Sequence, residues 1–387
     1  GFFSSFSSDE RRPFNILAQQ NQTAGLRAAV SKEFENLNTS LKFGTEMFFE
    51  RMDFQTFETL PVAQGSLLSD AIEHRDFLNF FVQSKTTIDQ WMLLYGLNYN
   101  NTFYTYDDQY LIDQDQSETF SFSNIFSTYI SLSYDSGDGV YYGGYSHGFG
   151  VPTLEETLNP QGAINFNLKP ELAYNFELGM QKLIENTSVQ VELYSMWVKN
   201  LIVQERVEED VTIGINAGRT WHPGLEISAS RLFELKKWEG EKNLIIRTSY
   251  QFGPHRFTDF VNDNINLERN FLPGNPTHKW NLSANLQVDR FYFESNATSV
   301  SKMFADDINQ IEVPGYFLIN IFMKFNVLEL NRWKCSVTGN LNNVLNTDYA
   351  SMIAVNPQSF GGAAPRYLYP GLPRNYMMNL KLAYRFL

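Results

Sequence analysis

Apolar and polar residues alternate with a period of two along most of this chain. Near the C-terminus Met378, Leu380, Leu382, Tyr384 and Phe386 are apolar, while Asn379, Lys381, Ala383 and Arg385 between them are polar or small. Successive side chains of a strand point to opposite sides, so the pattern predicts one apolar and one wettable face. The clearest case is Lys279 to Val288, where Trp280, Leu282, Ala284, Leu286 and Val288 oppose Lys279, Asn281, Ser283, Asn285 and Gln287. Leu172, Tyr174, Phe176, Leu178 and Met180 oppose Asn175, Glu177 and Gln181, and Val189, Val191 and Leu193 oppose Gln190, Glu192 and Tyr194. Trp333, Val337 and Leu341 oppose Arg332, Lys334, Ser336, Thr338 and Asn340, with Cys335 a small residue on the apolar side.

About fifteen such segments of roughly 10–14 residues can be read, near the length a tilted membrane strand needs. Short connections fall near Glu35–Asn38, Thr87–Gln90, Asp135–Gly139, Glu185–Thr187, Asp289–Arg290 and Leu328–Asn331. Long polar stretches lie between them, near 52–75, 105–121, 150–170, 200–218, 256–277, 303–313 and 346–373. This rhythm is expected of an all-β fold, an antiparallel transmembrane β-barrel with tight periplasmic turns and large extracellular loops. Glu234–Lys242 is long for a tight turn, and Leu67–Arg75 has the spacing of a short helix within a loop. A final strand running towards the periplasm makes the first strand, about Thr23–Phe34, descend as well. Residues 1–22 are then expected in an extracellular loop and residues 23–387 in the barrel. An odd strand number does not close such a barrel, so a partner segment or second chain is implied.

Composition narrows the class. Phe (33) and Tyr (20) are abundant, which suits rings placed at membrane interfaces. The formal net charge of -13 argues against nucleic acid, whose phosphates need basic patches. One cysteine excludes an internal disulfide and a multi-cysteine metal site. There is no run of 18 apolar residues for a helical span, and the start at Gly1 carries no signal-peptide pattern.

Several segments resemble the TonB-dependent outer-membrane receptors. Tyr145-Ser146-His147-Gly148-Phe149-Gly150-Val151-Pro152-Thr153 with Glu155 is similar to that family's Y-S-x-G-F-x-x-P-x-x-x-E stretch. Asn167-Leu168-Lys169-Pro170-Glu171 followed by Phe176-Glu177-Leu178-Gly179 resembles its N-L-K-P-E…E-x-G segment. Asn216-Ala217-Gly218-Arg219 with Gly224-Leu225-Glu226, and Leu272-Pro273-Gly274-Asn275-Pro276-Thr277-His278, resemble two later ones. So do the closing Asn340–Asn346, Pro370-Gly371-Leu372-Pro373-Arg374 and Tyr384-Arg385-Phe386. The resemblance implies the C-terminal two-thirds of a 22-stranded barrel, in the bacterial outer membrane. It also implies a plug that this sequence lacks, through which an inner-membrane TonB complex supplies energy. Ligand-specific import is implied, most often of a ferric siderophore, with haem, cobalamin or oligosaccharide as alternatives within the family. A passive porin or structural barrel is the reading from another class, and a lipoprotein or second chain over the loops is a further possible partner.

The candidate side chains are weighed on that frame. His74, His147, His222, His255 and His278 fall near extracellular strand ends or loops, and none has metal-ligand spacing. His147, the pair His255-Arg256, and Arg366, Tyr367 and Tyr369 beside Gly361-Gly362-Ala363-Ala364-Pro365 are expected ligand contacts. Guanidinium and phenol groups suit anionic or phenolate-bearing iron chelates. Glu177, Gln181, Gln190, Glu192, Glu226, Asn281, Asn285, Asn320 and Lys324 are expected to face the lumen and hold a plug. Gly144-Tyr145-Ser146-His147-Gly148 matches a G-x-S-x-G elbow, but no helical pattern follows, so no catalytic residue is assigned. Asp107, Asp108, Asp113, Asp115 and Glu118 form an acidic loop without EF-hand spacing; neither a metal site nor a cofactor is expected.

Overall fold

The computed structural model describes residues 1–11, 15–61, 63–110, 112, 115–122, 124–152, 157, 165, 168–208, 211–235, 242–262, 265–330, 332–357 and 364–385. Thr153, Glu155, Asn167, Asp113, Gly361, Gly362, Ala363 and Phe386, singled out above, lie outside these residues. The chain forms two compact units, Gly1–Ser133 with Gly144–Asn175 and Val198–Arg219, and Tyr134–Gly143 with Phe176–Trp197 and Thr220–Leu387.

In the first unit five long strands follow one another as antiparallel neighbours. They are β1 (Phe2–Arg11), β2 (Asn15–Phe34), β3 (Thr39–Thr59), β4 (Gln64–Ile88) and β5 (Trp91–Asp108). The ladders run from Phe2↔Gly25, Phe34↔Thr39, Thr39↔Thr86 and Ile88↔Trp91. A short β6 (Glu118–Ser121) pairs back onto β5 from Phe103↔Ser121, and β7 (Ile125–Asp135) follows. The turns use residues that tolerate the left-handed region: Asn38 closes the 3-10 turn Glu35–Leu37 at φ 45, and Asp89 has φ 50.

Three expectations change here. Residues 1–22 are not a loop: Phe2–Arg11 is a strand paired residue for residue with Ile16–Gly25. Its serines occupy both sides, which hides the period of two, and the backbone ladder decides. Sixteen strands of ten residues or more are found among the described residues, where about fifteen were expected. Leu67–Arg75 belongs to β4, not to a helix. The stretches near 52–75 and 200–218 are likewise mostly strand, because β3 and β4, and β10 (Thr187–Glu208) and β11 (Val211–Glu234), continue as long hairpins past their apolar parts. On β3 the apolar face reads Leu41, Phe43, Thr45, Met47 and Phe49, then turns polar at Arg51 and Asp53. Beyond Phe49 the strand therefore leaves its membrane-spanning part, and alternation is no longer required there.

The second unit is built the same way. In the chain, β8 (Gly139–Gly150) and β9 (Glu171–Ile184) precede β10. The ladder then runs β11, β12 (Lys242–Phe252), β16 (His278–Val288), β17 (Phe291–Val300), β20 (Tyr316–Leu330), β21 (Trp333–Asn342) and β24 (Asn375–Tyr384). The registers include Leu225↔Phe252, Phe252↔His278, Val288↔Phe291, Phe291↔Phe325, Ile321↔Leu341 and Trp333↔Tyr384, with a bulge between Asn326 and Leu328. The apolar face is bare: Leu380 is 72% exposed and Met378 76%. A face of that kind needs lipid, not water.

The long loops after β12, β17 and β21 carry order of their own. They contain β13 (Arg256–Asp259), β14 (Val261–Asn262), β15 (Ile265–Asn266), β18 (Met303–Phe304), β19 (Glu312–Val313), β22 (Ala350–Ile353) and β23 (Leu368–Pro370). Phe257, Phe260 and Leu267 are buried in the first, and Val300, Met303, Ala305 and Val313 form a second core with Tyr316, Ile353 and Tyr367 against it. Amide side chains tie the loops together. Phe271 N donates to Asn309 Oδ1 at 2.7 Å, Asn309 Nδ2 donates back to Phe271 O at 2.9 Å, and Asn356 Nδ2 donates to Asp307 Oδ2 at 2.8 Å.

Candidate functional site

The polar face of the second unit gathers residues that the alternation pattern singled out. Gln190 and Glu192 on β10, Glu226 on β11 and Asn281 on β16 line one concavity of about 210 Å³, with Ser228, Ser249, Gln251 and Lys279. They meet because every strand there keeps its period of two in register, so same-parity positions form rows across the ladder. Thr298 Oγ1 donates to Asn281 Oδ1 at 3.1 Å, and Tyr142 donates its phenol to Glu192 Oε2 at 2.6 Å. The patch is rich in carboxylate, amide and hydroxyl oxygens. It suits a hydrated or hydrogen-bonding solute and gives little purchase to an apolar one.

Glu177 and Gln181 share the face of Gly179 on β9. Asn285 keeps a buried Oδ1 without a hydrogen bond. Asn320 accepts from Asn343 N at 2.9 Å, and Lys324 lies across from Tyr292 and Thr338. These five occupy the polar face but not the concavity.

The expected loop contacts separate. His147 stacks on Tyr174 with centroids 4.6 Å apart and 6° between planes, and Lys199 sits 5.0 Å over the same tyrosine. It therefore belongs with the Tyr174 face, the apolar one of β9. Ser146 lies within β8, which runs straight through Gly150 without the strand-to-helix turn of a nucleophile elbow. Arg256 points away from its neighbour His255: its guanidinium lies 3.9 Å over the Phe271 ring, and Nη1 donates to Arg269 O at 2.7 Å. Tyr367 packs against the Val300–Val313 core, Tyr369 in β23 pairs across to Met352 in β22 and is 40% exposed, and Arg366 is exposed. The acidic loop uses its charge internally: Asp108 accepts from Tyr110 N at 2.9 Å and Gln116 N at 3.0 Å, and Asp115 from Ser117 N at 2.9 Å.

Ring contacts on the same strands complete the picture. Tyr142 and Tyr194 lie over Gly179 and Gly224 of neighbouring strands, where any Cβ would collide with the rings. His222 and His255 come together with ring centroids 5.0 Å apart. Both lie beyond the segment Leu225–Phe252 that the β11–β12 ladder spans. Burial lowers both pKa values, that of His222 to about 4 with His255 adding to the effect, so both rings are neutral.

In the first unit Glu73, opposite Met52 and Tyr106, is 1% exposed and neither of its carboxyl oxygens has a hydrogen-bond partner. It lies past the apolar run that ends at Phe49. Burial raises its pKa to about 7, with the Glu50 charge contributing, while Glu50 itself pairs with Arg75 Nη2 at 2.5 Å. No sequence signal marks it, because an acid at a strand's wettable position reads as solvated.

Residues 2–344 match the family model described as TonB dependent receptor-like, beta-barrel. Among solved structures the chain is similar to the ferric citrate transporter FecA in the unliganded form, at 17% identity and a TM-score of 0.77, covering 98% of this chain and 57% of that one. It is similar to the ferric yersiniabactin uptake receptor FyuA from Yersinia pestis, at 14% identity and 0.70, covering 99% and 57%. The copper transporter OprC gives 15% identity and 0.72, covering 96% and 59%. At these identities the likeness is one of fold, and the chain spans just over half the length of these proteins.

Proposed function

Because the chain belongs to the TonB-dependent receptor family, through that family's β-barrel domain, we propose that it serves ligand-specific, energy-coupled import across the bacterial outer membrane, with a ferric siderophore or similar iron chelate as its cargo. The observation that carries the reading is the pairing of a bare apolar face with a continuous polar one, on which Gln190, Glu192, Glu226 and Asn281 form an oxygen-rich concavity. One face meets lipid; the other offers hydrogen bonds to a plug and to a hydrophilic solute in transit. The loops above it, pinned through Asn309 and Asn356, are the surface that first meets cargo. Two of the similar structures are described by ferric cargo, ferric citrate and ferric yersiniabactin, which supports iron over the family's other cargoes.

The test is direct binding. Purified receptor in detergent, titrated with a panel of ferric chelates and followed by tryptophan fluorescence, is expected to bind at least one of them saturably. Failure to bind any chelate, together with saturable binding of an oligosaccharide, would remove the iron reading.

A further inference from the structure

We propose that His222 and His255 form a two-imidazole site for a divalent late first-row transition-metal ion, Cu2+ first, then Ni2+ and Zn2+. The two residues are 33 positions apart in sequence and meet only through the β11–β12 ladder. Parity on β11 places His222 on the polar face, since His222 and Gly224 alternate with Trp221 and Leu225, and the contact between the two rings brings His255 to the same side. The ring centroids are 5.0 Å apart with planes inclined at 43°. Two imidazoles that bind one ion through nitrogens about 2.0–2.1 Å from it, at a tetrahedral angle, have centroids roughly 5 Å apart.

The nitrogens are distributed to suit an ion. Nε2 of His222 is joined to the fully buried Thr220 Oγ1 at 2.8 Å, which fixes the ring; in the tautomer whose Nε2–H donates to that hydroxyl, Nδ1 carries the lone pair that a metal ion needs. Nδ1 of His255 is buried and has no hydrogen-bond partner, an orphaned position that a coordinate bond would satisfy. Its imidazole folds back over Gly253, where a Cβ would come within 2.9 Å of the ring. The adjacent cation does not oppose a metal, because Arg256 is committed to Phe271 and Arg269. Neutral imidazoles are borderline-soft donors, which selects copper, nickel and zinc over the oxygen-seeking ions. With two protein ligands the remaining positions hold water, so binding is reversible and of modest affinity. The site does not depend on what the receptor imports, and it stands or falls apart from the ferric-chelate reading.

The experiment uses untagged receptor in detergent and CuSO4 alone. Isothermal titration is expected to find one saturable equivalent of Cu2+ of modest affinity, and the electron paramagnetic resonance spectrum of that species to carry coupling to two nitrogens. His222→Ala and His255→Ala are each expected to weaken binding at least tenfold. His278→Ala is the control: that ring sits on the other face, bonded through Nδ1 to Tyr250 at 2.8 Å and packed on Phe252, and its loss is expected to change nothing. Unchanged affinity in the double variant His222→Ala/His255→Ala would overturn the site. Should the variants fail to fold, the wild-type spectrum decides alone, since a Cu2+ signal without two coupled nitrogens also overturns it.

Discussion

The phenol of Tyr142 donates to Glu192 Oε2 at 2.6 Å while its ring covers Gly179 on a neighbouring strand. The glycine supplies the space and the carboxylate fixes the ring above it. This arrangement closes the gap a glycine leaves in a sheet. Gly179→Ala is expected to destabilise the barrel by about 1–3 kcal/mol, because the ring is held and has nowhere to go. Tyr142→Phe, which leaves Glu192 without this donor, is expected to cost about 1–3 kcal/mol. Urea unfolding from lipid vesicles, followed by tryptophan fluorescence, reads both; midpoints equal to wild type would show that the contact is idle.

The two faces of β16 should respond oppositely to charge. Leu282 and Ser283 are adjacent but point to opposite sides. Leu282→Arg is expected to cost roughly 2–4 kcal/mol in a bilayer, whereas Ser283→Arg on the polar side should cost within about 1 kcal/mol. The same unfolding measurement distinguishes them. A larger loss at Ser283 would mean that the faces are assigned the wrong way round.

Much of this was legible in advance, and the reasons for the rest are physical. Lys279–Val288 read correctly because every second residue must meet lipid. Phe2–Arg11 did not, since a strand outside the bilayer has no apolar face to maintain and its serines carry no period. Leu67, Leu68, Ala71 and Ile72 mimic a helical repeat, but the ladder to β3 fixes them as strand. Of the expected polar-face residues, Gln190, Glu192, Glu226 and Asn281 converge because register is regular across the ladder. Arg256 and Tyr367 instead turn to the loop cores, whose packing depends on contacts between distant segments. His222 and His255 are joined by strand pairing, which no local spacing reveals.

Glu73 makes stability depend on pH. Its pKa in the folded protein is raised to about 7 by burial first and by Glu50 second, above the ordinary carboxyl value. Its contribution is therefore complete at acid pH and lost as pH rises through about 7. An elevation of that size corresponds to roughly 3 kcal/mol at most. In detergent the thermal midpoint of wild type is expected to fall between pH 5 and 8.5, and Glu73→Gln to flatten the profile and be the more stable at pH 8.5. Parallel profiles would show that Glu73 is ionised and solvated at neutral pH.

Asn309 carries the loop lock. It bonds Phe271 through both ends of its amide and holds φ 58, a conformation asparagine accepts better than alanine. Asn309→Ala is expected to speed chymotrypsin cleavage in the loops after β12 and β17 by about tenfold, a change worth ~1.4 kcal/mol of local stability. Asn309→Gly relieves the backbone but restores neither bond, so it too should be cut faster. Protection in both variants would mean that the loops are held elsewhere.

The decisive measurement is uptake. Cells carrying the receptor as their one route for a bound ferric chelate should accumulate its radioactive iron saturably, and an uncoupler that collapses the inner-membrane proton gradient should stop uptake while leaving surface binding intact. Uptake that rises linearly with concentration and survives the uncoupler would mean a passive pore, and would contradict energy-coupled import.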